Sequence, residues 1–104
     1  MIVTTTENVP GKKVVSILGI VKGNTIRARH VGRDILASLK TVIGGEITSY
    51  TSLLTEAREE AQKRMEEEAK KLGADAVIMA RFETSEVMPQ AAEVLAYGTA
   101  VKLG

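Results

Sequence analysis

The stretch Val14-Val15-Ser16-Ile17-Leu18-Gly19-Ile20-Val21 decides the fold. It is rich in β-branched and apolar residues, and turn-forming or polar residues flank it at Pro10–Lys13 and Lys22–Asn24. Such a run predicts a β-strand. Alternation places Val15, Ile17 and Val21 on one face and Val14, Leu18 and Ile20 on the other. Because both faces are apolar, the sheet that contains this strand needs a cover on each side.

Two helical patterns follow the strand. Between Val31 and Ile43 the apolar residues recur at helical spacing, namely Val31, Ile35, Leu39 and Val42. They predict a short helix that Gly44-Gly45 ends. A long helix is predicted from Thr48 to Leu72, and Gly73 is placed to end it in the left-handed conformation. Its apolar stripe consists of Tyr50, Leu53, Leu54, Ala57, Ala61, Met65, Ala69 and Leu72.

The opposite side of the long helix is charged. Acid-first pairs at i,i+4 run along it: Glu59/Lys63, Glu60/Arg64, Glu66/Lys70 and Glu67/Lys71. Each such pair stabilises an exposed helix by roughly 0.2–0.5 kcal/mol. Since the two signs alternate, the pattern indicates a solvated helix face rather than a surface for nucleic acid.

Strand patterns return after Gly73. The run Ala76–Glu83 begins with consecutive apolar residues and continues with alternating apolar and polar residues. The alternation places Ile78, Ala80 and Phe82 on one strand face and Arg81 and Glu83 on the other. Met88-Pro89-Gln90 breaks the run, and Val94–Val101 predicts a last strand, so the two strands form an antiparallel hairpin. Short strands at Ile2–Thr5 and Thr25–Ala28 are also compatible with the sequence.

This order of elements predicts one α+β domain over residues 1–104. The predicted domain is a two-layer sandwich, in which one short and one long helix cover one face of a mainly antiparallel sheet of three to four strands. No other segment is left to cover the face with Val14, Leu18 and Ile20. The pattern therefore predicts a homo-oligomer in which a neighbouring subunit covers that face.

Composition argues against several classes of function. The chain has no cysteine, which excludes thiolate nucleophiles and thiolate metal sites. Its 14 Lys and Arg balance 13 Asp and Glu, and only two Tyr and one Phe are aromatic, so we expect no nucleic-acid or membrane partner. The N-terminal residues lack the pattern of a signal peptide, and no apolar run is long enough to cross a bilayer. We expect a cytoplasmic protein.

The most polar cluster lies at the start of the predicted short helix. His30 and Asp34 are four residues apart and could share a divalent metal ion. Asp34 near a helix N-terminus is equally explained by the helix dipole, and Arg33 could pair with an acid of another subunit.

Two further candidates lie before and within the long helix. Gly44-Gly45 could hold an anion, but it lacks the Lys-Ser/Thr of a phosphate loop, which favours a hinge. Tyr50 and Arg58 lie two turns apart on one helix face and could line a small-molecule pocket. No nucleophile with an adjacent base is evident, so we assign no catalytic residue and no cofactor.

Ordered blocks along the whole chain resemble one family. They are Gly19-Ile20-Val21, Arg33-Asp34, Gly44-Gly45-Glu46, Tyr50-Thr51, Glu56-Ala57-Arg58, Ala61, Ala69 to Val77 and Tyr97-Gly98-Thr99-Ala100-Val101. They resemble the YbjQ-like family of uncharacterised small proteins, which is described as "putative heavy-metal-binding". The resemblance implies a dodecin-like subunit assembled into a ring, specifically a homopentamer, and it implies Asn in relatives at the position of His30.

Three functions are compatible with these observations. The first is a ring-forming structural or small-ligand-binding protein. The second is an oligomer that binds or sequesters metal, although the soft ligands that heavy metals prefer are scarce in a chain with one His and no Cys. The third is an enzyme whose site is assembled across subunits.

Overall fold

The computed structural model describes residues 1–28, 42–43, 46–89 and 91–104. Within them one helix packs on a mixed, open sheet of four strands, which confirms the predicted α+β class. The strands are β1 (Ile2–Val3), β2 (Val14–Ala28), β3 (Val42–Ile43), β4 (Glu46–Ile47), β5 (Ala76–Met88) and β6 (Ala91–Leu103), and the helix is α1 (Thr48–Lys71). No helix in these residues combines the length and apolar character needed to span a membrane.

The main sheet has the strand order β1-β5-β6-β2. The central strand β6 pairs antiparallel with β5 and with β2, whereas β1 pairs in parallel with β5. The β5–β6 hairpin turns at the predicted break around Pro89, but its strands are longer than the sequence predicts and reach Met88 and Ala91. The long strand β2 is therefore an edge strand of the sheet.

The predicted break at Lys22–Asn24 is wrong, because β2 continues through it and includes Thr25–Ala28. Gly23 lies directly under α1, where an added Cβ would meet the backbone of Ala61 and Met65 and come within 2.7 Å of Arg64 Cβ. This glycine permits close approach of helix and sheet. Next to it, the buried Thr25 donates from Oγ1 to Ala57 O at 3.1 Å.

Irregularities of the ladder change two of the predicted strand faces. In β2 the register shifts between Val14 and Ser16 and again between Ile17 and Gly19, and Leu18 packs with Val21 against the core under the helix. In β5 the register shifts between Ile78 and Arg81, so Ala80 joins that core while Ile78 lies in another cluster. Simple alternation fails at both places because a bulge inserts an unpaired residue.

Helix α1 confirms the predicted long helix. Ala57, Ala61, Met65 and Ala69 are buried and form most of the core on the helix side, together with Val21, Val77, Ala80, Val94, Ala96 and Ala100. Leu72 is an exception: it follows the helix and is 48% exposed. Of the predicted ion pairs Glu60–Arg64 is formed at 3.3 Å, but Lys71 lies near Glu68 instead of Glu67, at 4.0 Å.

The predicted short helix is wrong at its C-terminal end. Val42 and Ile43 form strand β3, which pairs antiparallel with β4 in the register Val42↔Ile47 and Ile43↔Glu46. The β-branched side chains of Val42 and Ile43 favour a strand over the last turn of a helix. Residues 31–41 and the Gly44-Gly45 pair lie outside the described residues.

The second face of the sheet is covered in part by the chain itself, contrary to the prediction. Val9 and Leu103 pack against a small buried cluster of Ala76, Ile78 and Val101. The N-terminal segment is held there by a backbone pair between Lys13 and Gly104, with N–O distances of 3.0 and 2.9 Å. Ile17 and Ile20 remain 70% and 77% exposed.

Candidate functional site

Most of the predicted site residues are outside the part of the chain that the structure describes. His30, Arg33, Asp34, Gly44 and Gly45 are outside the described residues. Tyr50 belongs to the first turn of α1, although its side chain is not among those described, and Arg58 lies on the same helix with an exposed side chain. Whether His30 and Asp34 come together thus stays a prediction.

Two open hollows lie along the line where α1 overhangs the edge strand β2. The first, about 370 Å³ in volume, is lined by Arg27 of β2 and by Glu56, Glu59, Glu60 and Lys63 of α1. The second, about 350 Å³, is lined by Ile20, Val21, Lys22, Glu68 and Leu72. The first hollow is charged throughout, and the second combines exposed aliphatic side chains with one pair of opposite charges.

Arg64 lies on α1 between the helix residues that line the first hollow and those that line the second. Its Nη1 donates to the carbonyl oxygen of Asn24 at 2.6 Å, and its Nε lies 3.3 Å from Glu60 Oε1. The guanidinium therefore links α1 to the backbone of the edge strand β2 at Asn24. A charged group placed against the backbone of an edge strand restricts pairing with another strand at that point.

Two separate side-chain hydrogen bonds lie on the sheet face away from the helix. The Tyr97 hydroxyl donates to Glu83 Oε1 at 3.2 Å across the β5–β6 ladder, and Asn24 Nδ2 donates to Glu93 Oε2 at 3.2 Å. The hydrogen bond to Glu83, supported by desolvation and by the negative charge of that carboxylate, raises the pKa of Tyr97 above its ordinary value. The hydrogen bond to Glu83 favours the neutral phenol, so the Tyr97 hydroxyl is not activated as a nucleophile.

The donor chemistry of the described residues does not fit a heavy-metal centre. No group of three or more His, Asp or Glu side chains in the described residues is arranged to hold a metal ion. Thioether sulfur is the only soft ligand available there, and Met65 is buried in the core while Met79 and Met88 are exposed on β5. A metal site built from the predicted residues would depend on His30 and Asp34.

Sequence reasoning missed the residues that line the two hollows. The charged residues of α1 were interpreted as a solvated face, which is correct for most of them, and Arg27 was not considered. The charge pattern alone shows that one helix face is polar. Only the position of β2 beside α1 shows that Glu56 and Glu60 border a groove.

The whole chain matches the model of a family described as "Putative heavy-metal-binding", over residues 1–104. A UPF0145 protein of Archaeoglobus fulgidus is 63% identical over 103 residues, which cover 99% of this chain and 95% of the relative. A UPF0145 protein of Thermotoga maritima is 61% identical over 103 residues, with 99% and 97% covered.

A solved structure shares the fold. The crystal structure of a protein of unknown function from Pediococcus pentosaceus, assigned to the DUF74 family, superposes with a TM-score of 0.68. The alignment covers 100% of this chain and 98% of that one at 20% identity, so it supports the fold alone. The full-length family match and the close relatives show that this chain belongs to the YbjQ-like family of UPF0145 proteins.

Proposed function

We propose that this chain is the subunit of a closed homo-oligomeric ring that acts in the cytoplasm as a structural or small-ligand-binding assembly. The proposal depends on surface that a single subunit leaves uncovered. It assigns function to the assembled ring, because no described part of the isolated subunit combines an enclosed cavity with reactive side chains.

The exposed second half of β5 is the observation that carries the proposal. Residues 81–89 are all exposed, although successive side chains of a strand point to opposite faces. Neither face of this segment is therefore covered by the part of the chain that the structure describes. Phe82, Val87 and Met88 are exposed by 47%, 50% and 61%. Burying one such side chain stabilises a protein by about 1.5–3 kcal/mol, which an adjoining subunit would supply.

The dimensions of the subunit support the same conclusion. Its Cα radius of gyration is 17.1 Å and its extents are 53 × 25 × 17 Å. A compact domain of about 100 residues has a radius of gyration of about 13 Å. The extended β5–β6 hairpin and β2 account for this elongation, since each strand has at least 13 residues.

A pentamer is the ring size that the family resemblance implies. Cyclic assembly repeats one contact between two different surfaces and leaves no open end. The hollows beside β2 are open to solvent in one subunit, so a neighbouring subunit would enclose them. A small ligand held there would be bound between subunits, beside three carboxylates and the two cationic groups of Arg27 and Lys63.

Native mass spectrometry of protein purified without an affinity tag tests this proposal. We expect one assembly larger than a dimer, and a retained organic mass in fixed ratio to subunits if the ring carries a ligand. A mass of one subunit, 11.2 kDa, at micromolar concentration would contradict the proposal.

Metal binding is the second candidate, and it rests on the description of the family as "Putative heavy-metal-binding". The donors that fit it best are His30 and Asp34. We predict that His30→Asn leaves metal content unchanged, because the family resemblance implies Asn at that position. Elemental analysis of tag-free parent and variant measures this directly. Loss of a stoichiometric metal from the variant would establish His30 as a ligand.

A further inference from the structure

We propose that the outer edge of β2 in one subunit binds the second half of β5 in the next subunit. This inference rests on the homo-oligomer proposed above and specifies its interface. The partner surface is a second copy of the same chain. The contact is heterologous, meaning that two different surfaces of each subunit take part.

The first surface, called the β2 edge, lies along the outer strand beside the end of α1. Its exposed aliphatic side chains are Val15, Ile17, Ile20 and Leu72. Ile20 and Leu72 line the same hollow, together with Val21, Lys22 and Glu68. A groove between a helix and an unpaired strand suits a strand that adds to the sheet and places alternate side chains in the groove.

The second surface, called the β5 edge, lies on the opposite side of the sheet. Its exposed apolar side chains are Phe82, Val87 and Met88. Backbone hydrogen bonds from the N-terminal segment protect β5 only as far as Ala80, whose N–H donates to Thr4 O at 2.9 Å. Within the described residues, no strand pairs with the outer side of residues 82–88.

The positions of the two edges favour a heterologous contact. The β2 edge and the β5 edge lie at or near opposite ends of the strand order β1-β5-β6-β2. A symmetric dimer through two β2 edges would leave both β5 edges exposed, and the converse dimer would leave both β2 edges exposed. Binding of one β2 edge to one β5 edge covers both surfaces with a single type of contact, and repetition of that contact closes a ring when the rotation between neighbours divides a full turn.

The exposed area is sufficient for such an interface. The accessible surface of the subunit is 6815 Å². A compact monomer of its mass, 11.2 kDa, has about 5,700 Å² by the usual scaling with mass. The excess is on the order of 1,000 Å², which exceeds the roughly 800 Å² that one partner buries in a single stable interface. A subunit in a ring takes part in two such contacts, one at each edge.

Arg64 restricts where strand pairing takes place along β2. Its guanidinium already binds the Asn24 carbonyl oxygen, so an incoming strand would have to displace it there. The backbone of residues 14–22 lies on the other side of this contact. Val15, Ile17 and Ile20 are in that part of the strand, which is therefore the part that we assign to the interface.

A mixing experiment with two double variants tests the inference. The β2-edge variant carries Ile17→Lys and Ile20→Lys, and the β5-edge variant carries Phe82→Lys and Val87→Lys. Each variant retains one intact surface. Each alone should sediment as a monomer, and an equimolar mixture should form a dimer of twice the subunit mass and nothing larger. The control variant Asn8→Lys/Ser52→Lys adds the same charge at exposed positions elsewhere and should keep the parent mass.

The outcomes separate this inference from the proposed function. An oligomeric parent whose double variants keep its mass would overturn the interface and leave the oligomer standing. Two folded monomeric variants that fail to combine would overturn the heterologous contact. Folding is checked by circular dichroism. If the lysine variants unfold, Ile17→Thr/Ile20→Thr and Phe82→Thr/Val87→Thr must give the monomer-and-dimer pattern, since threonine favours strands. A monomeric parent would instead contradict the proposed function itself.

Discussion

Gly23 determines how closely α1 approaches the sheet. A Cβ at this position would overlap the backbone of Ala61 and Met65, which cannot turn aside as the end of a flexible side chain can. We predict that Gly23→Ala lowers the free energy of unfolding by about 1–3 kcal/mol, because the helix must move away from β2. Chemical denaturation of parent and variant at one protein concentration measures the change.

Gly104→Ala is the matched control for that substitution. Its added Cβ would meet only side-chain atoms of the exposed Val15, with the nearest at 2.9 Å. We expect a change in unfolding free energy within about 0.5 kcal/mol. Equal destabilisation by the two substitutions would contradict the close-approach role of Gly23.

Glu83 controls the ionisation of Tyr97. Its carboxylate accepts the phenol hydrogen bond and adds a negative charge nearby, and both effects favour the neutral phenol. We predict that Glu83→Ala lowers the pKa of Tyr97 towards its ordinary value of 10.0. Absorbance titration in a Tyr50→Phe background follows this single tyrosine. Glu86→Ala removes another exposed β5 carboxylate and should leave the titration unchanged.

Gly23 also illustrates why part of the fold could not be predicted. In sequence, Lys22-Gly23-Asn24 resembles a turn between two strands. In the structure the glycine is needed because a helix from 38 residues further along the chain lies against it, with Ala61 at the contact. Local residue types carry no information on such a tertiary contact.

At the scale of elements, α1 was predictable because its apolar period is sustained over 24 residues and its C-terminal end carries the signals Lys70, Lys71 and Gly73. At its C-terminus Ala74 N–H donates to Ala69 O at 3.1 Å and Gly73 N–H to Lys70 O at 3.0 Å. These two bonds, with Gly73 at a φ of 78°, form a Schellman motif.

The motif leads to a prediction for Gly73. An alanine there would have to adopt the left-handed conformation, which costs roughly 1–2 kcal/mol for a residue with a Cβ. We therefore expect Gly73→Ala to lower the unfolding free energy by that amount. Because the space around Gly73 is open, the loss reflects backbone strain alone. Thermal unfolding at fixed protein concentration is the measurement, and an unchanged midpoint would contradict this explanation.

The strand faces were less predictable than the helix. Alternation correctly placed Ala76–Phe82 in a strand but could not locate the bulge, where Met79 adopts a φ of 55°. The same limitation affected Leu18, which was assigned to an uncovered face and instead packs against the helical core. A bulge reverses the faces of all residues beyond it without any clear mark in the sequence.

At the scale of the whole molecule, residue blocks spread over the chain were sufficient to predict the family and the α+β class. The candidate site was predictable only as residue types. His30, Arg33 and Asp34 were selected for their chemistry, whereas the hollows beside β2 depend on how α1 crosses an edge strand. Local periodicity predicts elements well, but a groove between two elements requires their relative positions.

The proposed assembly into a ring rests on the exposed strand segment at residues 81–88 and on the exposed β2 edge. Sedimentation equilibrium of the unmodified chain at micromolar concentration tests it most directly. We predict one species larger than a dimer, with a mass five times the 11.2 kDa of the subunit if the ring is a pentamer. A well-behaved species with the mass of a single subunit would contradict it.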